Sequence, residues 1–224
     1  MITELTIFIV DDDPAVRSAL SELMESVGYR VEDHADVNSF LDSYTARRPG
    51  CLLLDVRMPG RSGLDLHEEL IRRRIELPTI IITGHGDIST PVRAMKNEVL
   101  DFIEKPSHAQ AVLDCVGRAL AMETQRLHNE ARAAEIGARA ARLSPRERQI
   151  MELAVSGQSV KELAFQLRLS PETVRIHRSR VLRKMHADTT VALVRLADSL
   201  RANRQNAYTN KPKEHPLLPA QRRL

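Results

Sequence analysis

The chain is 224 residues long, with 42% apolar side chains, three Tyr, four Phe and no Trp, which leaves room for two domains with largely aliphatic cores. No apolar run approaches the roughly 20 residues of a membrane helix. Met1-Ile2-Thr3-Glu4-Leu5 lacks the basic start of a secretory signal, and Cys51 and Cys115 fall in predicted core elements as buried hydrophobes, so a cytoplasmic protein is expected.

Thr6–Val10 reads as a buried strand ending in Asp11-Asp12-Asp13-Pro14, where Asp13 is placed to cap a helix with Pro14 in its first turn. That helix carries Val16, Leu20, Leu23, Met24 and Val27 at helical spacing, and Gly28 stops it. A shorter, more polar strand over Tyr29–Ala35 and a helix over Asn38–Arg47 follow. Cys51–Leu54 is a continuous apolar run that meets Asp55 and then the turn Arg57-Met58-Pro59-Gly60, the pattern of a strand buried on both faces. Leu64–Arg74 reads as a helix and Thr79–Thr83 as another buried strand. Pro91 starts a fourth helix, Leu100–Lys105 is a fifth strand, and a fifth helix starts near His108. This alternation calls for a five-stranded parallel sheet covered on both faces, with a flavodoxin-like strand order as the economical arrangement.

In such a sheet Asp11, Asp12, Asp55, Thr83 and Lys105 all fall at the carboxyl edge, where open α/β sheets place their ligands. Three carboxylates brought together repel unless a cation sits among them, and oxygen ligation completed by waters suits Mg²⁺. A carboxylate can itself be a nucleophile and become an aspartyl phosphate. Lys105 can pair with a phosphoryl oxygen, and the Thr83 hydroxyl can donate to another. Taken singly, a strand-end Asp is a helix cap, Thr83 an ordinary strand end and Lys105 a solvated cation. Their coincidence at matching strand ends favours an acidic phosphoryl-transfer site.

On these residues, 4–121 resembles a response-regulator receiver domain. The likeness is carried by Val10-Asp11-Asp12, Asp55 with Arg57-Met58-Pro59-Gly60, Thr83-Gly84-His85-Gly86 and Asp101-Phe102-Ile103-Glu104-Lys105-Pro106. The last two are most similar to the FixJ type. The resemblance implies that a sensor histidine kinase phosphorylates Asp55. It implies that Asp12 and Asp55, with the Arg57 carbonyl, bind Mg²⁺ directly, and that Asp11 helps, often through water. Thr83 and Phe102 would be the switch pair, and the Lys105-Pro106 bond would be cis. One departure is Met95-Lys96-Asn97-Glu98-Val99, where related sequences often read Met-Lys-Ala-Gly-Ala. A Glu at the Gly position gives up easy access to positive φ.

The net charge of +3 hides an asymmetry. Residues 1–122 carry 13 basic and 20 acidic side chains, net −7, while 144–204 carry 12 and 6, net +6. An acidic half joined to a basic half suggests two jobs, the second facing phosphates. Between them, Ala109–Arg142 is a helical pattern without Pro, with Leu113, Val116, Leu120, Leu127, Ala134 and Ala141 on a heptad seam. Glu123, Glu130 and Gly137 interrupt that seam, so a helix packed on the first domain and fraying into a solvated linker over 122–138 is expected rather than a coiled coil.

Ser144-Pro145-Arg146-Glu147 and Ser159-Val160-Lys161-Glu162 read as capping boxes, Ser170-Pro171 opens a third helix, and Asp188-Thr189-Thr190 precedes a fourth that runs to about Leu200. Four short helices, the middle pair joined by a tight turn, fit an all-α helix-turn-helix domain over 139–204. In the third helix Val174, His177, Val181 and Met185 face the core, His177 as a packed histidine. Arg175, Ile176, Ser179, Arg180, Arg183 and Lys184 form the outer, basic face, which suits a DNA major groove. Residues 202–224 have little apolar pattern and read as disordered.

This half is similar to LuxR-type DNA-binding domains of the NarL/FixJ family. The carrying residues are Leu143-Ser144-Pro145-Arg146-Glu147-Arg148, Gly157–Ala164, Leu169–Arg178 and Lys184-Met185. By motif position, Arg175, Ile176 and Ser179 reach bases, while Lys161, Thr173, Arg180 and Lys184 favour phosphates. Arg168 stands where Gly is usual, and a non-Gly residue at positive φ is strained, so a looser turn is expected. The combined reading is a two-domain transcription regulator, with 205–224 as tail. Its implied partners are a sensor histidine kinase, double-stranded DNA, RNA polymerase and, when phosphorylated, a second copy of itself. Two rivals remain open. A phosphatase of the Asp-x-Asp kind lacks its second Asp in Asp55-Val56-Arg57. A constitutive DNA-binding regulator would carry a receiver indifferent to phosphorylation.

Overall fold

The computed structural model describes residues 4–45, 48–84, 99–105 and 108–209. The chain divides into two compact units, Met1–Arg126 and Leu127–Leu224.

In the first unit the strands are β1 (Thr6–Val10), β2 (Arg30–His34), β3 (Gly50–Asp55), β4 (Thr79–Thr83) and β5 (Asp101–Glu104). All are parallel, in the order β2-β1-β3-β4-β5, which is the flavodoxin-like arrangement. The three central strands β1, β3 and β4 are buried along their whole length, as continuous apolar runs require. The helices are α1 (Pro14–Ser26), α2 (Val37–Ser43), α3 (Gly63–Arg72) and the first part of α4 (Ala109–Ala141).

Successive strand side chains point to opposite faces, which gives the unit two cores. Ile7, Ile9, Cys51, Leu53, Ile80 and Ile82 pack with Met24 of α1 and Val112, Val116 and Leu120 of α4. Phe8, Val10, Leu52 and Leu54 pack with Phe40 of α2 and Leu66 and Leu70 of α3. Both cysteines are free and buried, and burial pushes the Cys51 thiol up to about 12.

Helix α2 is shorter than the sequence pattern suggests. Tyr44 leaves helical geometry at φ −74°, ψ 114°, stacks on Phe40 with ring centroids 5.2 Å apart, and donates its hydroxyl to the Arg48 carbonyl at 3.1 Å. The helix expected from Pro91, the loop beyond Gly84, Asn97-Glu98 and the Lys105-Pro106 bond lie outside the described residues.

The second unit contains the end of α4, then α5 (Pro145–Val155), α6 (Val160–Leu167), α7 (Pro171–Met185) and α8 (Thr190–Thr209). Both expected capping boxes are formed, at Ser144 with Glu147 and at Ser159 with Glu162. One cluster joins Ile136, Leu143, Val181, Met185, Ala187 and Leu193, and another joins Leu163, Ala164 and Val174. Two expectations are corrected here. Helix α4 does not fray over 122–138, because Glu123 and Ile136 are both buried, each 1% exposed, and anchor it. Residues 202–209, expected to be disordered, continue α8.

Candidate functional site

Strand register builds the first site. Val10 is opposite Leu54, Asp55 opposite Ile82 and Thr83 opposite Glu104, so Asp11, Asp55, Thr83 and Lys105 line up at one edge of the sheet. Lys105 is held there by its own amide, which donates to the Thr83 carbonyl at 2.7 Å. Its Nζ donates to Asp11 Oδ2 at 2.6 Å and to Asp55 Oδ1 at 2.7 Å, bridging two carboxylates from different strands. Asp11 and Asp55 are only 2% and 6% exposed. Gly63 lets the chain close over this site, since a Cβ there would meet the Asp55 carbonyl oxygen at 2.0 Å. The turn is tied by the Gly63 amide to the Val56 carbonyl at 3.1 Å.

Burial pushes the Asp55 carboxyl above its ordinary value, and the Asp11 charge adds to this against the opposing Lys105 ammonium. Burial pulls Lys105 downward, but its bonds to Asp11 and Asp55 outweigh that and hold it above its usual range. One cation therefore serves two buried carboxylates, and the pocket keeps an excess of negative charge.

The remaining predicted residues are placed as follows. Asp12 is exposed and stands apart from the Lys105 bridge. The Arg57 side chain is exposed, while its backbone amide donates to the Asp55 carboxylate. Thr83 is buried, and its hydroxyl lies 3.5 Å from the Gly84 carbonyl. Phe102 packs against Val56, Ile81 and Val99. Among the described residues no three His, Cys, Asp or Glu side chains are grouped as a metal cage. The donor set is instead the two buried carboxylates, Asp11 and Asp55, that Lys105 bridges. A hard cation that keeps several waters and uses one or two carboxylates fits such a set, which is the habit of Mg²⁺.

The second site is the outer face of α7. Arg175, Ile176, Ser179 and Arg180 are exposed there, and Lys161 is exposed on α6. Arg175 makes a surface pair with Glu172 at 3.0 Å. Thr173 is half-buried, and its hydroxyl meets that of the capping Ser170 at 2.8 Å. Val174, Val181 and Met185 are buried, and His177 is half-buried with Nδ1 unpartnered.

Lys184, expected as a phosphate contact, also has partners within the fold: its Nζ donates to Glu147 Oε2 at 2.6 Å and to the Arg142 carbonyl at 3.2 Å. The Lys184 bond and the Ser144 amide lower Glu147 to about 2. The turn before α7 is tight despite Arg168. That residue adopts left-handed geometry (φ 52°, ψ 48°), with Leu169 N–H to the Ala164 carbonyl at 2.9 Å and Arg168 N–H to the Phe165 carbonyl at 3.2 Å, a Schellman end. Arg146 of α5 braces the same turn by donating to the Leu167 carbonyl at 2.6 Å. Nothing in the local sequence marks Arg146 for this role, which depends on how α5 packs on α6.

Comparison with known proteins gives two family matches. Residues 7–116 match the response regulator receiver domain, and residues 141–197 match the bacterial regulatory proteins of the luxR family. The chain is 42% identical to the transcriptional regulatory protein FixJ of Azorhizobium caulinodans, over 86% of this chain and 92% of that one. It is 38% identical to the response regulator protein TodT of Pseudomonas putida, over 87% of this chain and 86% of that one. Among solved structures, the response regulator StyR superposes with a TM-score of 0.76 at 35% identity, covering 87% of this chain and 98% of that one.

Proposed function

The chain belongs to the response-regulator family that joins a receiver domain to a LuxR-type DNA-binding domain, and from that membership we propose that Asp55 is its phosphoryl acceptor. Two-component control of transcription is the function of such a chain. The observation that carries the assignment is the Lys105 ammonium shared by Asp11 and Asp55 in a buried pocket.

In this reading an Asp55 carboxylate oxygen attacks the phosphorus of the kinase phosphohistidine, the new O–P bond forms and the N–P bond breaks. Lys105 is placed to pair with a phosphoryl oxygen, and the Thr83 hydroxyl to donate to another. Asp11, Asp12, Asp55 and the Arg57 carbonyl would hold Mg²⁺, which neutralises charge on the phosphoryl oxygens. Phe102, lying on Val56 and Ile81, repacks when Thr83 turns inward. Modification thereby shifts an equilibrium between two receiver states.

The output is DNA binding. Arg175, Ile176 and Ser179 read base edges, and Lys161, Thr173 and Arg180 hold phosphates. Phosphorylated chains pair and bind a two-half-site operator in the cytoplasm, where RNA polymerase is a further partner.

The test is intact mass and size-exclusion after treatment with a small phosphodonor and Mg²⁺. One added phosphoryl group on the wild type and none on Asp55→Asn, with a new dimer peak, is expected. No uptake by the wild type would overturn the assignment.

A further inference from the structure

Arg17 lies in the first turn of α1, and its guanidinium reaches back over the loop that carries the acidic pair. Nη1 donates to the carbonyl of Asp11 at 2.8 Å and to that of Asp12 at 3.1 Å, while Nε donates to Asp33 Oδ2 at 3.2 Å. Asp33 is on β2, in register with Ile9 of β1. One side chain thus ties the end of β1, the start of α1 and the neighbouring strand. The Arg17 side chain is largely buried, 17% exposed.

Two successive carbonyls held by one nitrogen fix two successive peptide planes. That fixes the direction of the Asp12 Cα–Cβ bond between them. The Asp12 carboxylate is exposed, and no hydrogen bond or ion pair holds it among the described residues. Asp11 is secured directly, by Lys105 and by the Asp13 amide at 2.9 Å. Among the described residues Asp12 is anchored through its backbone, and Arg17 grips that backbone.

We propose that Arg17 is a positioning residue that aims Asp12 at the metal, and so sets the affinity of the pocket for Mg²⁺. This rests on reading the Asp55 pocket as a Mg²⁺-dependent phosphoryl acceptor. Lysine is no substitute, because the grip uses the flat, forked guanidinium, with Nη1 on the loop and Nε on β2. Electrostatics alone has the opposite sign: a fixed cation near a metal site weakens metal binding, so deleting it would tighten the site. A loss of affinity on removing Arg17 is therefore diagnostic of positioning.

The experiment is calorimetric titration of the full chain with Mg²⁺ alone, comparing the wild type, Arg17→Lys and Arg17→Met. Both variants should bind about tenfold more weakly, the scale of an outer-shell ligand support. Phosphoryl uptake from a small donor should slow at limiting Mg²⁺ and recover at saturation. Thermal melts in EDTA report the fold separately, and Arg17→Lys keeps the charge should Arg17→Met fail to fold. Equal or tighter Mg²⁺ binding by the folded variants would overturn the proposal alone. Absence of Mg²⁺ binding and of phosphoryl uptake by the wild type would overturn the underlying site reading.

Discussion

Asp55 is a buried carboxylate that is poorly compensated, and this has a consequence for stability. Its carboxyl is raised by burial, so folding favours the protonated form. The resulting penalty is absent in acid, appears as pH rises through the carboxylate range, and persists at neutral pH. Asp55→Asn should therefore raise the stability of the first unit at pH 7 while blocking phosphoryl uptake. A denaturant melt followed by circular dichroism checks this, and a lower midpoint would contradict it. At this scale much of the site was legible. Asp11, Asp55, Thr83 and Lys105 are strand-end residues, and a parallel sheet aligns strand ends. The separation of Asp12 from the Lys105 bridge was not legible, because it depends on loop geometry. Nor was the capture of Lys184 by Glu147, which joins residues 37 apart through helix packing.

Arg168 shows how an element ending can be kept at a cost. Its left-handed geometry costs an L-residue roughly 1 kcal/mol, which glycine avoids. Arg168→Gly should stabilise the second unit by about 1 kcal/mol and leave the Schellman bonds in place. A urea melt tests this, and an unchanged or lower midpoint would argue against strain at that turn. Helix α4 gives a second prediction. Ile136 is buried with Val181 and Met185, yet it precedes residue 139, where the sequence motif begins. A fragment spanning 127–209 should be more stable than one spanning 139–209 by about 2–4 kcal/mol, the cost of emptying a large core site. Equal melting midpoints would contradict this. Of the heptad seam Leu113, Val116, Leu120, Leu127, Ala134 and Ala141, the fold buries Val116 and Leu120 and leaves Ala134 and Ala141 exposed. Neither the phase of a long helix nor the early end of α2 at Tyr44 can be taken from spacing when partner surfaces decide the outcome.

For the molecule as a whole, two separately packed units predict two melting transitions, and acid should act on the second through Glu147. Glu147 is lowered from 4.5 to about 2, chiefly by Lys184, so its contribution is full above its ordinary value and lost as pH falls through about 2. Over the same descent the first unit sheds the Asp55 penalty but loses the support of Glu32, Asp36, Asp65 and Asp101, whose carboxyls are held below their ordinary values. Scanning calorimetry between pH 4.5 and 2 should show the second unit's midpoint falling, and Lys184→Met should flatten that fall. An equally steep fall in Lys184→Met would contradict this assignment. The continuous helix from Ala109 to Ala141 carries a lesson for hybrid genes. It lends Leu120 and Glu123 to one interior and Ile136 to the other. Splicing a foreign input onto this output thus has a narrow stretch for its seam, after Arg126 and before Ile136. A cut on either side of that stretch takes a structural residue away from the half that needs it.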